Sequence, residues 1–258
     1  KKVNRKVKVG ISTEQQQQLD ELGYTVIPDV LSGAEITIYR KRLLELAKLE
    51  QEDKTANMHT ENKGQLVRWL VTKGELFEKL VAHPKVVPYF EYMLGSDYIL
   101  STLTSNIISP EAKDGPYHID NALGQMPEPL PSFPMFVNSL WLLNDFTPEN
   151  GGTRFVPTSH RRLKKPSSNL MTDPEEIRLT AKKGSVFLFN GAIWHAAGAN
   201  QTAEPRIALI CFCCRSFIKQ MFDFVHYLKP EVIDRATPEM YRIYGFDSQP
   251  KPPDTPKD

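Results

Sequence analysis

Cysteine is scarce in this 258-residue sequence. There are three, Cys211, Cys213 and Cys214. Crowded into four positions, they cannot build a disulfide framework, and they lack the CxxC spacing of a zinc site, so reduced core residues are expected. Long apolar runs are also missing. The longest, such as Ile207 to Cys214, fall far short of the roughly 18 residues that cross a bilayer, and nothing at the start reads as an apolar secretory segment. These absences predict a soluble, cytoplasmic protein without a membrane partner. The sequence begins at Lys1 rather than Met, which leaves a trimmed targeting segment open. Excess charge of one sign is absent as well: 32 Lys and Arg face 31 Asp and Glu, a net charge of +1. Such a balance gives no overall field for a phosphate backbone, which argues against nucleic acid as a partner and points to small molecules. There is no internal repeat and no Gly-rich phosphate loop. With 40% hydrophobic and 24% charged residues, the composition is that of a globular protein able to bury a core without staples.

The pattern divides a single domain, 1–258, into a helix-rich part (1–97), a β-rich core (about 98–217) and a C-terminal helical segment with a tail (218–258). Ser12 and Thr13 precede a short helix over 14–22 that Gly23 ends, and Tyr24 to Val30 reads as extended. Ser32-Gly33-Ala34-Glu35 is a capping box ahead of Ile36, Tyr39, Leu43 and Leu46 on one helical face. A third helix is expected from Thr72-Lys73-Gly74-Glu75 and a fourth between Pro84 and Gly95, with Gln51 to Lys63 a mobile polar loop. From Tyr98 the period becomes two, and strands are predicted over 98–109, 136–144, 153–157, 185–190 and 206–215. Asn150-Gly151 is a hairpin signal. Asn121 to Pro134, with four prolines, and Arg161 to Arg178 are long connections of the kind used as lids or binding loops. The proline-rich tail from Gln249 is expected to be poorly ordered.

His118-Ile119-Asp120 places an imidazole and a carboxylate at i and i+2, on the same face of a strand. Alone this is weak, because a surface His beside an Asp looks identical. His195, after the apolar run Val186 to Phe189 and a break at Gly191, can supply a third ligand or be a satisfied core histidine. Two His and one carboxylate form the facial triad of non-haem Fe(II) oxygenases. Arg206 opens a strand that is apolar on both faces and therefore central. A guanidinium there needs an anion, either a ligand carboxylate or one of the chain's own acids.

His118-Ile119-Asp120, His195 and Arg206, with Trp141 to Thr153 (WLLNDFTPENGGT) and Val156 to His160 (VPTSH), resemble the phytanoyl-CoA dioxygenase family of Fe(II)/2-oxoglutarate oxygenases. Leu19 to Ser32 is similar to that family's opening segment and Pro230 to Phe246 to its closing stretch. The resemblance implies a mainly β fold with flanking helices around a double-stranded β-helix, a cupin-like jelly roll. It also implies that His118, Asp120 and His195 bind iron and act in catalysis, that Arg206 anchors the distal carboxylate of 2-oxoglutarate, and that O2 is the oxidant, with succinate and CO2 released. Thr153 resembles a hydroxyl that contacts the cosubstrate, and Trp141 an inward aromatic wall of the barrel. Thr158 stands where the family usually has glycine. Ala197 replaces a polar residue, so that Asn106 is expected to supply the lost cosubstrate contact. Asp120 disfavours halogenation, because the halogenases that resemble this family carry a small residue there. The implied reaction is oxidation, by default hydroxylation, of a small or medium-sized organic metabolite; desaturation, ring closure and epoxidation stay open. The loop 121–134 contains no Lys or Arg, whereas Arg154, Arg161, Arg162, Lys164 and Lys165 could hold an anionic substrate or form a solvated face. A non-catalytic jelly-roll binding protein is the alternative, with little reason to keep all four side chains. A zinc hydrolase, lacking an obvious general base, is a distant third.

Overall fold

The computed structural model describes residues 10–59 and 64–249. Helix α1 (Thr13–Gln17) is closed by a Ser12/Gln15 capping box and runs on as a π-helical turn, Gln18–Leu22, ended by Gly23 at φ +83°. A side chain at Gly23 would meet the ring of His160 at 2.5 Å, so glycine is required there twice over. Helix α2 (Gly33–Glu52) starts at the expected Ser32/Glu35 box and buries Ile36, Tyr39, Leu43 and Leu46. The expected third helix is divided at Gly74 (φ +130°) into a 3-10 turn, Leu70–Lys73, and α3 (Glu75–Glu78). Then come α4 (Val87–Leu94), ended by Gly95, and α5 (Asn121–Gly124). Three short helices, α6 (Phe224–Tyr227), α7 (Pro230–Asp234) and α8 (Pro238–Ile243), close the C-terminal part.

The strands are β1 (Tyr24–Ile27), β2 (Asn57–His59), β3 (Gly64–Leu66), β4 (Ile99–Ile108), β5 (Phe136–Leu142), β6 (Arg154–Phe155), β7 (Ile177–Arg178), β8 (Val186–Asn190), β9 (His195–Ala196) and β10 (Arg206–Cys214). They form a seven-stranded sheet, β1-β8-β5-β10-β4-β3-β2, and a three-stranded sheet, β7-β6-β9. All pairings are antiparallel. The two sheets with helices outside them make the double-stranded β-helix. Strand β10 is central, between β5 and β4, which accounts for its apolar residues on both faces. Ile207, Leu209, Cys211 and Cys213 join the core under the helices, while Ala208 and Phe212 face the other way. The three cysteines are free and buried.

Two expectations are corrected. Residues 57–59, expected in a mobile loop, form β2, which pairs with β3 and lengthens the large sheet; 60–63 lie outside the described residues. Asn150-Gly151 is a turn, with Gly151 at φ +85° and the Gly152 N–H bonded to Thr147 O, but it does not join two paired strands. Strand β5 belongs to one sheet and β6 to the other, so the turn carries the chain across the barrel. The connection 121–134 opens with a helical turn and buries Leu123 and Leu130. Of the proline-rich tail, the residues from Pro250 lie outside those described.

Candidate active site

The cavity between the sheets, about 380 Å³, is walled by alternate residues of the large sheet: Asn106 and Ile108 from β4, Asn138 and Leu140 from β5, Arg206 and Ile210 from β10. The small sheet contributes His195 and Ala196, with Thr153 just before β6, and the segment Gly115 to Asp120 closes one side. His118 and His195 are held opposite one another by paired backbone bonds, N–H to O at 3.0 Å in each direction, and their ring centroids are 4.3 Å apart. The Asp120 N–H donates to Gly191 O, which turns the carboxylate toward the same space. A Cβ on Gly191 would stand 2.7 Å from Asp120 Oδ2, so only glycine leaves room for that oxygen.

His195 Nδ1 lies 2.9 Å from Ile193 O. A carbonyl only accepts, so Nδ1 carries the proton and Nε2 keeps its lone pair, 3.8 Å from Asp120 Oδ1. Burial lowers the His195 pKa to about 4, which keeps the ring neutral. Burial also raises the Asp120 pKa to about 7, against the pull of His118 and of the Asn138 amide. Asn138 Nδ2 donates to Asp120 Oδ1 at 3.5 Å, and Asp120 Oδ2 is buried with no partner. The arrangement is costly for a carboxylate alone and suits one that awaits a cation.

At the other end Arg206 is 1% exposed. Its Nε donates to Gly151 O at 3.1 Å and its guanidinium lies 4.6 Å from the Phe146 ring centroid. Nη1 is buried without a partner, and among the described residues no carboxylate comes within ion-pair distance. The internal salt bridge left open by spacing is therefore not there. Burial lowers the Arg206 pKa to about 9. Asn106 Oδ1, also buried and unpartnered, borders the same cavity, as does Thr153.

Residues 19–208 match the phytanoyl-CoA dioxygenase (PhyH) family. The chain belongs to that family. An uncharacterised protein of Mycobacterium tuberculosis, Rv1501, is 26% identical over 95% of this chain and 90% of its own length. "Dioxygenase af480" of Aspergillus fumigatus is 25% identical over 90% of this chain and 76% of its own. Among solved structures, the non-haem alpha-ketoglutarate-dependent carbocyclase SnoK of nogalamycin biosynthesis superposes with a TM-score of 0.66 at 21% identity, covering 89% of this chain and 92% of that one. The protein is thus an Fe(II)/2-oxoglutarate-dependent dioxygenase that uses O2.

One site expectation is corrected in this dioxygenase. Trp141 does not wall the cavity: it is wholly buried on the opposite face of β5, its Nε1–H bonded to Ser139 Oγ at 3.1 Å and its ring edge-on to His83. Period-two alternation puts 138 and 140 on the cavity side and 139 and 141 under the helices. Thr158 takes φ +62°, a left-handed conformation that glycine adopts without strain, which accounts for the family's usual residue there. Asn138, Phe146 and Gly151 O were not anticipated. The available signal for Asn138 was a lone amide inside an otherwise apolar strand.

The cations near the site are largely engaged. Arg154 is 1% exposed and bonds Glu176, Gly115 O and Met171 O, while Tyr117 donates to the same Glu176 at 2.6 Å. Arg178 pairs with Asp114, and Asp114 Oδ1 accepts the Ala199 N–H. This network fixes the segment that leads into His118. Arg162 pairs with Asp173 and Glu175, and Arg161 bonds Asp20 O. No described helix is long and apolar enough to cross a membrane.

Proposed function

We propose that this dioxygenase hydroxylates a small or medium-sized organic molecule, with His118, Asp120 and His195 holding Fe(II) and Arg206 holding the distal carboxylate of 2-oxoglutarate. The observation that carries the reading is Arg206: a fully buried guanidinium with an unpartnered Nη1 and no acid of its own, at the far end of a cavity that also holds the two histidines and the aspartate. An unpaired buried cation is expensive, so a fold that keeps one is built for an anion that arrives later.

The donor set fits the metal. Two neutral imidazoles and a carboxylate suit iron, and three protein ligands leave positions for a cosubstrate and an oxidant. Among the described residues no three His, Cys, Asp or Glu side chains already close on one point. His118 is exposed, with Nδ1 3.4 Å from Pro116 O and its ring 4.3 Å from that of His195. When bound, iron and 2-oxoglutarate supply the oxidation of substrate by O2, with release of succinate and CO2. The chain's own contribution is placement: Ile193 O fixes the His195 tautomer, Gly191 and Asn138 aim the Asp120 carboxylate, and Phe146 with Gly151 O set the plane of the Arg206 fork. Asn106 and Thr153 offer polar contacts along the cosubstrate, and the apolar walls Leu140, Ile210 and Phe189 exclude water. A carboxylate at position 120 leaves no vacancy for a halide, which supports hydroxylation over halogenation.

The test is an anaerobic titration of 2-oxoglutarate into the Fe(II)-loaded protein, following the metal-to-ligand charge-transfer band, and then succinate formation against a metabolite panel. Absence of the band refutes the assignment.

A further inference from the structure

Beyond the metal-side residues the cavity continues outward over the face of β4, β10 and β5, bordered by Thr102, Asn138, Ile210, Phe212 and Met221. This is the end away from Arg206, because β10 runs from Arg206 opposite Ile108 to Phe212 opposite Thr102. Apart from His118 and Asp120 it contains no ionisable side chain. Its outermost wall is Met221, 56% exposed, yet the backbone there is firmly tied: the Met221 N–H donates to Ser101 Oγ, the Phe222 N–H to Ser101 O, and Gln220 Nε2 to Leu100 O and Tyr244 O. A thioether pinned half in water at the rim of a cavity adds little to the fold. Next along the chain, Phe222 lies 5.8 Å from the ring of Trp69 and 6.3 Å from Tyr227, both substantially exposed, so apolar surface continues outward from the rim. Trp69 holds φ +57°, a conformation unfavourable for a bulky side chain. No Lys or Arg borders this end of the cavity, and Arg154 and Arg162, two of the cations that the sequence offered for an anionic substrate, are engaged in ion pairs elsewhere.

We infer that the outer end of the cavity is a seat without lysine or arginine, walled on its outer side by Ile210, Phe212 and Met221, and that the molecule oxidised here is a neutral, largely apolar compound rather than an acyl-CoA thioester. This rests on the reading of the cavity as the Fe(II)/2-oxoglutarate site. A polyanionic group seated here would lose hydration without meeting a cation among the lining residues, whereas an apolar body covers Met221, Ile210 and Phe212 together. Methionine suits the position because its flexible, polarisable chain adapts to an irregular apolar ligand.

The probe is N-phenyl-1-naphthylamine, a neutral apolar fluorophore, titrated into full-length protein loaded anaerobically with Fe(II) and 2-oxoglutarate. Saturable binding at one site per chain is expected. Met221→Glu should weaken it by roughly tenfold or more, since it sets a carboxylate against the ligand, while Met221→Leu should retain it. Lauryl alcohol should displace the probe at lower concentration than lauroyl-CoA. Absence of saturable binding, equal binding by Met221→Glu, or stronger displacement by the thioester overturns the inference. The charge-transfer band on the same samples separates the two failures: without it the oxygenase site itself is refuted, and with it only the substrate class is.

Discussion

Replacing Arg206 by methionine removes the charge and keeps most of the buried volume. Burial lowers the Arg206 pKa well below the usual arginine value, to about 9, so retaining the cation in the ligand-free fold costs on the order of 3 to 5 kcal/mol at about 1.4 kcal/mol per pKa unit. The folded pKa lies below the unfolded one, so this penalty is complete below about pH 9 and fades as the pH rises toward the unfolded arginine value. The bond to Gly151 O and the stacking on Phe146 return about 2 to 3 kcal/mol together. The expected outcome is therefore unusual for a buried arginine: ligand-free Arg206→Met is as stable as wild type or gains about 1 to 2 kcal/mol, a rise of a few degrees in Tm at about 2 to 4 °C per kcal/mol for a chain of this size. Cosubstrate binding moves the other way. Losing a charge-assisted fork in a desolvated site costs about 2 to 5 kcal/mol, roughly 30-fold to several thousand-fold in Kd for 2-oxoglutarate. Thermal melts with and without 2-oxoglutarate, under anaerobic Fe(II), read both. Wild type at a hundred times its Kd gains about 2.7 kcal/mol from the ligand, and the variant at the same concentration gains less than about 1 kcal/mol. A variant that is several kcal/mol less stable alone, with unchanged affinity for 2-oxoglutarate, refutes the reasoning and makes Arg206 a structural residue.

His118→Ala should abolish stoichiometric Fe(II) binding and turnover while leaving circular dichroism unchanged; full metal occupancy with normal turnover would remove it from the ligand set. Trp141→Ala should destabilise the protein by about 3 to 5 kcal/mol without altering the Kd for 2-oxoglutarate, because its side chain faces the helices; weakened cosubstrate binding in a folded variant would restore it to the cavity. Burial pushes the Glu176 carboxyl up, but the bonds from Arg154 and Tyr117 and the Arg charges outweigh it and hold the pKa below the usual value. Its contribution to stability is therefore present above pH 4.5 and lost as the pH falls through the depressed folded value. Glu176→Gln should cost about 2 to 4 kcal/mol near neutrality and flatten the acid limb of the stability curve; an unchanged acid limb would refute the role given to this network.

Much of this was legible because the signals are local. The N-cap signal at Ser12, the capping box at Ser32 and the glycines at 23 and 95 mark helix ends through hydrogen bonds a few residues apart, and they stand where expected. Strands β4, β5, β8 and β10 announce themselves by apolar, β-branched runs. What failed was non-local. Asn150-Gly151 has the right turn chemistry, yet which sheet the next strand joins depends on packing across the barrel. In β5 both parities carry large apolar residues, so alternation alone leaves open whether 140 or 141 faces the cavity, and Trp141 was placed on the wrong side. The amide at 138 breaks that symmetry: a buried Asn needs a polar partner, and Asp120 provides it, which fixes the cavity parity at 138 and 140.

Arg206 shows the same limit from the other direction. From the sequence, 31 acids compete as partners for one guanidinium, and a salt bridge is always the economical reading. The fold removes them for a geometric reason. The faces of β4, β5 and β10 that meet around Arg206 present Asn106, Ile108, Leu140 and Ile210, and the turn that approaches its Nε does so with a backbone carbonyl, Gly151 O, rather than a side chain. That approach depends on glycines that are visible in the sequence without revealing their use: a Cβ on Gly151 would stand 2.7 Å from Gly198 O, and one on Gly152 2.4 Å from Leu179 O. Close backbone packing of that turn brings a neutral acceptor to one edge of the fork and leaves Nη1 without a partner. The Asn-Gly-Gly turn that read as a hairpin thus builds the Arg206 end of the cavity.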